Sequence, residues 1–374
     1  MPILRLQGTI TSLGHFISLI GGRSSVADGR WPGMTPIYTE RQLDDVLSAP
    51  SEADRAAMRA IVGSLLILGA GGKMGPSLAQ RARRAADQAG ISKSIVAVSR
   101  FSDPAAERQL QDAGIETIRA DLLDFAQLAS LPDAENVIFM AGRKFGSSGA
   151  AHLTWASNAY LPARVAERYR HARIVAFSSG NVYPFLPLTG GGAAEETAPE
   201  PVGEYAQSVL ARERMFEFFS ARYGTRVCLL RLNYAVELRY GVLRDIGAKV
   251  FAGRPVNVSM GAVNIIWQGD ANSVCLRSFA LCASPPAVLN VAGPETLSVR
   301  AIAQRFGELF GREPVFEGRE ADTALLNNAA RCHGLFGPPS VTPETAIVWT
   351  AEWIRSGGAA WDKPTHFETR DGRF

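Results

Sequence analysis

From residue 64 onward the chain alternates short apolar runs with longer stretches of helical periodicity. The expected strands are Leu65–Leu68, Ile95–Val98, Glu116–Arg119, Val137–Met140, Ile174–Phe177 and Val227–Leu232, mostly apolar except Glu116–Arg119. Between them, Gly75–Ala89, Ala151–Tyr169 and Glu204–Tyr223 have the pattern of helices. Short continuous apolar strands separated by helices predict βαβ units around a parallel sheet buried on both faces. The fold class is therefore α/β, a Rossmann-type doubly wound parallel sheet. After Asn233 the rhythm loosens. Short strands are expected near Val256–Val258 and Val263–Ile266, a helix over Asp270–Cys282, and a strand at Val288–Val291. Helices follow over Ser298–Phe310 and Pro343–Ile354. This half reads as a smaller C-terminal α/β portion that binds substrate.

Residues 40–62 read as one or two short amphipathic helices. Leu43, Val46 and Leu47 share a helical face, and Ser51 with Asp54 has the spacing of a cap. Residues 6–22 lack formal charge between Arg5 and Arg23, but Thr9, Thr11, Ser12, Gly14 and His15 interrupt the apolar stretch. A signal peptide is not expected, and organised sequence begins just after Met34. The resulting division is 1–34 as an unstructured extension, 35–63 as a helical lead-in, and 64–235 as a dinucleotide-binding domain. Residues 236–355 form the substrate-binding portion and 356–374 a tail. Composition marks Thr189–Pro201 as a flexible surface loop.

Of 374 residues, 47% are hydrophobic and 20% charged, which excludes a disordered or fibrous chain. The net charge of +3 gives no reason to expect nucleic acid or an anionic membrane as partner. No apolar run reaches the roughly 18 residues of a membrane span. Cys228, Cys275, Cys282 and Cys332 form no CxxC pair, so neither a zinc site nor a disulfide framework is expected. The chain reads as cytoplasmic, in a reducing compartment. His15, His152, His171, His333 and His366 show no metal-ligand spacing, and no metal is expected.

The strand Leu65–Leu68 runs into Gly69-Ala70-Gly71-Gly72-Lys73-Met74-Gly75 and then a helix. Gly69 permits a tight exit from the strand, Gly72 lets a pyrophosphate approach the backbone, and Gly75 lets the helix pack on the sheet. The helix start offers N–H groups and partial positive charge to phosphates. Gly69, Gly71, Gly72, Lys73, Met74 and Gly75 are thus candidate cofactor contacts, in the strand–turn–helix context such a motif requires. At the end of the second strand stand Ser99 and Arg100, where an acidic residue would hold the ribose hydroxyls of NAD. A cation there favours the 2′-phosphate of NADP, with NAD as second choice.

With further landmarks the chain resembles the extended short-chain dehydrogenase/reductase family, in its NAD(P)-dependent epimerase/dehydratase group, over about residues 64–355. Asp121-Leu122 is similar to the family's adenine-contacting pair. Phe139-Met140-Ala141-Gly142 resembles the strand end that lines the cofactor, and Asn158 matches the structural Asn of the following helix. Phe177-Ser178-Ser179-Gly180-Asn181-Val182-Tyr183 resembles the family's strand end carrying its Ser/Thr, and Glu204-Tyr205-Ala206-Gln207-Ser208 the start of its catalytic helix. Leu230–Tyr234, Asn264–Ala271 and Leu289–Gly293 resemble later landmarks.

The resemblance implies Ser179 and Tyr205 as the pair that polarises a substrate oxygen. The family's Lys, four residues after the Tyr, lowers the phenol pKa. Here that position is Val209. A phenol with a pKa near 10 is scarcely ionised at neutral pH without a nearby cation. Lys144, beside Arg143 after the fourth strand, is the expected substitute. Arg212, seven residues after Tyr205, shares its helical face. The Asp-Glu pair of the family's sugar-nucleotide dehydratases is replaced by Gly180 and Asn181, which disfavours that mechanism. The expected function is an NAD(P)-dependent oxidoreductase or epimerase acting on a small hydroxylated or sugar-like substrate. The alternative is a dinucleotide-binding or sensing protein without turnover. A homodimer is expected from the resemblance alone.

Overall fold

The computed structural model describes residues 36–373, apart from Phe145, Ser147, Ser148 and Asp362. The expectation for residues 1–34 lies outside the described residues. Two short helices, α1 (Glu40–Ser48) and α2 (Glu52–Ala60), each open on a reciprocal capping box, Thr39 with Gln42 and Ser51 with Asp54. Each box satisfies two orphan N–H groups at once. Asp54 then does more than cap. Its carboxylate accepts from Arg81 Nη2 at 2.6 Å and Ser273 Oγ at 2.6 Å, in the interior.

Seven strands build the sheet: β1 (Leu65–Leu68), β2 (Ile95–Ser99), β3 (Glu116–Arg119), β4 (Asn136–Phe139), β5 (Arg173–Ser179), β6 (Arg226–Leu232) and β7 (Ala287–Val291). All pair in parallel, in the order β3-β2-β1-β4-β5-β6-β7. Leu68 pairs with Val98 on one side and Phe139 on the other. Between the strands run α3 (Gly75–Gln88), α4 (Pro104–Asp112), α5 (Phe125–Ser130), α6 (Ala151–Trp155), α7 (Leu161–Arg168) and α8 (Gly203–Tyr223). Alternate residues of β1 face opposite ways. Leu65 and Ile67 join a core with Leu78, Ala82 and Val274, whereas Leu66 and Leu68 join one with Val165 and Phe216. Both faces are buried, which is why β1 reads as an unbroken apolar run.

The C-terminal half adds α9 (Val242–Phe251), α10 (Gln268–Arg277), α11 (Val299–Phe310), α12 (Ala330–Phe336) and α13 (Pro343–Arg355). Ile246, Phe306 and Trp353 centre a third core that also takes Leu43 and Leu47 from α1. No helix among the described residues is long and apolar enough to cross a membrane.

Several expectations change. Helices α4, α5, α9 and α12 are not among the expected elements, although α9 buries an apolar face of Val242, Leu243, Ile246 and Val250. The single strand expected over Val263–Ile266 is two strands. Ala262–Val263 pairs antiparallel with Leu297–Ser298, and Ile266–Trp267 pairs in parallel with Ala235–Val236. Asn264 breaks the run because its side chain turns inward, donating to the Asn327 carbonyl at 2.6 Å and accepting from Asn233 at 2.8 Å. The helix expected to reach Cys282 ends at Arg277 and continues as a 3₁₀ turn over Ser278–Leu281.

Thr189–Pro201 runs along the surface as its composition suggests, but it is anchored at one buried point. Ala193 is fully buried and bonds Leu326 and Asn328 through its N–H and carbonyl at 2.7 and 2.8 Å. Glu195 accepts from the Asn290 N–H at 2.9 Å. The glycines serve conformation there, since Gly191 and Gly192 both have positive φ.

Candidate functional site

The crevice opens where strand order reverses, between β1 and β4, beyond the carboxyl ends of the strands. A cavity of about 410 Å³ lies there. Gly72, Lys73 and Met74 reach it from the β1 turn, Met140, Gly142, Arg143 and Lys144 from β4, and Phe177, Ser178 and Ser179 from β5. Phosphate chemistry needs close backbone approach, and the turn provides it. Gly69 has φ +93, and a Cβ there would lie 2.6 Å from the Ala141 nitrogen. A Cβ on Gly71 would lie 2.6 Å from Ser99 Oγ, and one on Gly75 only 2.1 Å from the Ala70 carbonyl oxygen. A Cβ on Gly72 would meet only the Gly69 oxygen, at 3.3 Å, and otherwise point into space. Three glycines close the turn on the sheet while the fourth leaves room above α3, the shape a dinucleotide pyrophosphate requires. Arg100 is exposed at the end of β2, with Ser99, Asp121 and Leu122 beside it on the β2 and β3 ends. These four lie beyond the 410 Å³ cavity, toward the edge of the sheet.

The wall beyond β4 is set by a π-helical turn, Ala156–Tyr160, inserted between α6 and α7. Such turns free backbone groups for other work. Pro162 has no N–H to return to the Asn158 carbonyl one turn earlier. That carbonyl instead accepts from Arg212 Nε at 3.4 Å. The Asn158 side chain accepts from the Arg143 N–H at 2.8 Å and from Arg212 Nη2 at 3.0 Å, and donates to the Arg143 carbonyl and Ser208 Oγ. Arg212 Nη1 donates to the Phe177 carbonyl at 2.6 Å. One guanidinium thus ties α8, the π turn and β5 together beneath the cavity. Burial draws its pKa down to about 10 while the neighbouring Tyr205 and Glu213 raise it. It remains a cation at neutral pH.

Ser179 and Tyr205 both line the cavity. Ser179 Oγ accepts from the Asn181 N–H at 3.2 Å and donates to Asn181 Oδ1 at 2.9 Å. Burial pushes the Tyr205 phenol up, opposed first by the charge of Arg212 and then by a hydrogen bond with Ser179. Val209 does not line the cavity. It is buried against Val182, Tyr183 and Ala193, so α8 spends that position on packing. Lys144 also lines the cavity, its Nζ 5.7 Å from the centre of the Tyr205 ring and 3.5 Å from the Thr365 carbonyl. The charge of Arg212 favours the Tyr205 phenolate. Lys144 shares the cavity with its amine drawn down by burial to about 8, against the pull of Asp245 and Glu368.

Some of the site was not anticipated. Tyr240 lines the cavity and carries Lys73 Nζ 3.0 Å from its ring centre. Thr365, far along the tail, lines it too and binds Asp245 through its N–H and hydroxyl at 2.7 and 2.6 Å. The glycine before α9, with φ +124 at Gly241, is a weak local signal for Tyr240. Nothing local marks Thr365. Trp353 is buried at 1% exposure, and Trp361 stacks on Tyr240 with ring centres 6.3 Å apart. Beneath the site, Glu213 accepts from Arg231 Nε and Nη2 at 3.0 and 2.7 Å, and Arg231 donates to the Tyr183 hydroxyl at 2.7 Å. Tyr183 is thereby committed to the core. Among the described residues no group of three or more His, Cys, Asp or Glu could hold a metal.

Residues 65–236 match the model of the NAD dependent epimerase/dehydratase family. No curated protein matches the sequence significantly. Solved structures share the fold at low identity. The UDP-glucuronic acid 4-epimerase of Bacillus cereus, in complex with NAD, superposes with TM-score 0.65 at 15% identity over 78% of this chain and 98% of that one. The UDP-glucose 4-epimerase of Thermotoga maritima, with UDP-glucose, gives 0.65 at 17% identity over 79% and 99%. The UDP-glucose 4-epimerase of Thermus thermophilus, with NAD, gives 0.63 at 18% over 78% and 99%. Residues 65–236, from the glycine turn to the end of the Ala235–Val236 strand, are thus similar to the NAD dependent epimerase/dehydratase family.

Proposed function

We propose that the protein is an NAD(P)-dependent oxidoreductase or epimerase acting on a small hydroxylated or sugar-like substrate. The observation that carries this reading is the convergence of Ser179 and Tyr205 on the cavity that the glycine turn borders. A bound nicotinamide supplies the hydride acceptor and donor. The chain's residues manage the substrate oxygen. As the substrate C–H bond breaks and the C=O forms, the hydroxyl proton passes to the Tyr205 oxygen, and the reverse step returns it. Ser179 holds the same oxygen. Arg212 favours the phenolate in place of the missing helix Lys, and Lys144 brings a second cation to the ring. Gly180 and Asn181 offer no acid for a leaving hydroxyl, so no dehydration is proposed. Arg100, exposed at the end of β2, supports NADP as the preferred cofactor and NAD as the second, while two of the structural relatives hold NAD.

Leu153, Trp155, Tyr160 and Phe218 leave large apolar side chains exposed on α6, the π turn and α8. They support a homodimer through these helices. Four free cysteines fit a cytoplasmic setting.

The packing of Val209 favours a second reading, a dinucleotide-binding or sensing protein without turnover. The test is a substrate screen read at the nicotinamide absorbance, with native protein, Ser179→Ala and Tyr205→Phe. Turnover lost in both variants at unchanged cofactor affinity supports the enzyme. Tight cofactor binding with no turnover on hydroxylated substrates supports the second reading.

A further inference from the structure

Thr365 lines the 410 Å³ cavity and is bonded to two separate parts of the fold around it. Its N–H and hydroxyl donate to Asp245 Oδ2 on α9 at 2.7 and 2.6 Å, and its carbonyl accepts from Lys144 Nζ, beyond β4, at 3.5 Å. The same Nζ is 5.7 Å from the centre of the Tyr205 ring, so one side chain spans the distance between the phenol ring and Thr365. The segment around Thr365 is fixed on both sides. Upstream, the Trp361 N–H donates to the Arg239 carbonyl at 3.2 Å. Downstream, Phe367 is buried in the core with Ile246, and Arg370 donates to the Thr323 carbonyl and hydroxyl at 2.7 and 2.6 Å. Gly372 lies against the start of α8, where a Cβ on Gly203 would come within 2.5 Å of the Gly372 carbonyl oxygen. The segment thus passes from α9 to the helix that carries Tyr205. A second cavity of about 400 Å³ is walled by its other residues, Lys363, Pro364, Phe367 and Glu368, together with Asp245. Among the described residues the two cavities share only Tyr240.

We propose that Thr365 is a size-determining residue of the substrate pocket, which takes an unconjugated monosaccharide or a smaller polyol and excludes a disaccharide or a nucleotide sugar. This deepens the functional reading above and rests on it for the word substrate. The N–H, hydroxyl proton and carbonyl of Thr365 are all engaged. What it gives the cavity is a fixed wall, not a further donor. A substrate whose hydroxyl reaches Ser179 and Tyr205 has its far end against that wall. A second sugar or a diphosphate on that end would have to displace Thr365 from Asp245, leaving a carboxylate without its two donors, or lift the segment and expose Phe367.

The test is a size series, glycerol, D-glucose, cellobiose and UDP-glucose, titrated by calorimetry into NADP-saturated native protein, Thr365→Gly and Thr365→Leu. Thermal unfolding of each variant separates a changed pocket from a lost fold. Native protein should bind D-glucose and bind cellobiose and UDP-glucose about tenfold or more less tightly. Thr365→Gly removes the wall but keeps the backbone bond to Asp245, and should gain affinity for cellobiose. Thr365→Leu grows the wall, and should lose D-glucose about tenfold or more while keeping glycerol and NADP. A merely structural role would weaken every compound alike in both variants, and that outcome overturns the proposal. So does native protein that binds UDP-glucose as tightly as D-glucose, or that binds none of the four. Nicotinamide absorbance, followed in the same samples, tests the underlying reading separately. Size selection in binding without hydride transfer leaves the wall standing and overturns the enzyme. Hydride transfer on UDP-glucose and D-glucose alike keeps the enzyme and overturns the wall.

Discussion

Arg212 gives Asn158 two hydrogen bonds, from Nε to its backbone carbonyl at 3.4 Å and from Nη2 to its side-chain oxygen at 3.0 Å. The first exists because Pro162 leaves that carbonyl without its helical donor. The pair places a permanent cation beside Tyr205, on a helix whose more direct position is filled by Val209. Arg212→Met should therefore raise the Tyr205 titration midpoint, because loss of a neighbouring cation disfavours the phenolate. Arg212→Lys should recover part of this. Nuclear magnetic resonance of tyrosine labelled at the hydroxyl-bearing ring carbon, assigned with Tyr205→Phe, measures it. Equal midpoints in native and Arg212→Met proteins would refute the role.

The glycine turn separates binding from folding. Gly72→Asp has room for its Cβ but sets a carboxylate where phosphate approaches. Cofactor affinity should fall by calorimetry while the unfolding temperature stays near native. Gly75→Ala must displace the Ala70 carbonyl, 2.1 Å from the new Cβ. It should lower stability by about 1 to 3 kcal/mol, as overpacking does. Unchanged dinucleotide binding in Gly72→Asp would move the cofactor site elsewhere.

The proposed preference for NADP rests on Arg100, exposed at the end of β2. Arg100→Ala should cost NADP affinity about 1.5 to 3 kcal/mol, the worth of a hydrogen bond to a charged group, and leave NAD affinity nearly unchanged. Titration of both cofactors into both proteins decides it. Equal weakening, or tighter NAD binding by the native protein, counts against NADP.

Lys73 links stability to pH. Its pKa is drawn from 10.5 in the unfolded chain to about 7 in the folded one. Between those values the unfolded chain binds the extra proton, so this group makes stability rise with pH from about 7 toward 10.5. The groups facing it are Lys144, Lys363, Asp245, Glu237 and the Tyr240 ring. In Lys73→Met the rise should flatten relative to native protein. Urea unfolding at neutral and alkaline pH reads the difference, and parallel curves would show that Lys73 is not buried as described.

What the sequence determined by itself was the local grammar. Leu65–Leu68, the glycines at 69, 72 and 75, and the Ser51–Asp54 cap depend on residues adjacent in the chain, so strand, turn and cap were legible there. The parallel sheet followed because buried parallel strands leave unbroken apolar runs. Ser179 and Tyr205 were legible through family spacing. Arg212 was visible as a residue on the right helical face, but its partner was not. The acceptor it uses is a carbonyl freed by a proline in another helix, and only packing brings the two together. The composition of Thr189–Pro201 marks a surface loop but does not reveal that Ala193 will bond Leu326 and Asn328. The placing of Tyr240 and Thr365 on the cavity, with Lys73 over the Tyr240 ring, was likewise decided by tertiary structure. Charges far apart in sequence sense one another only after burial removes the water that screens them.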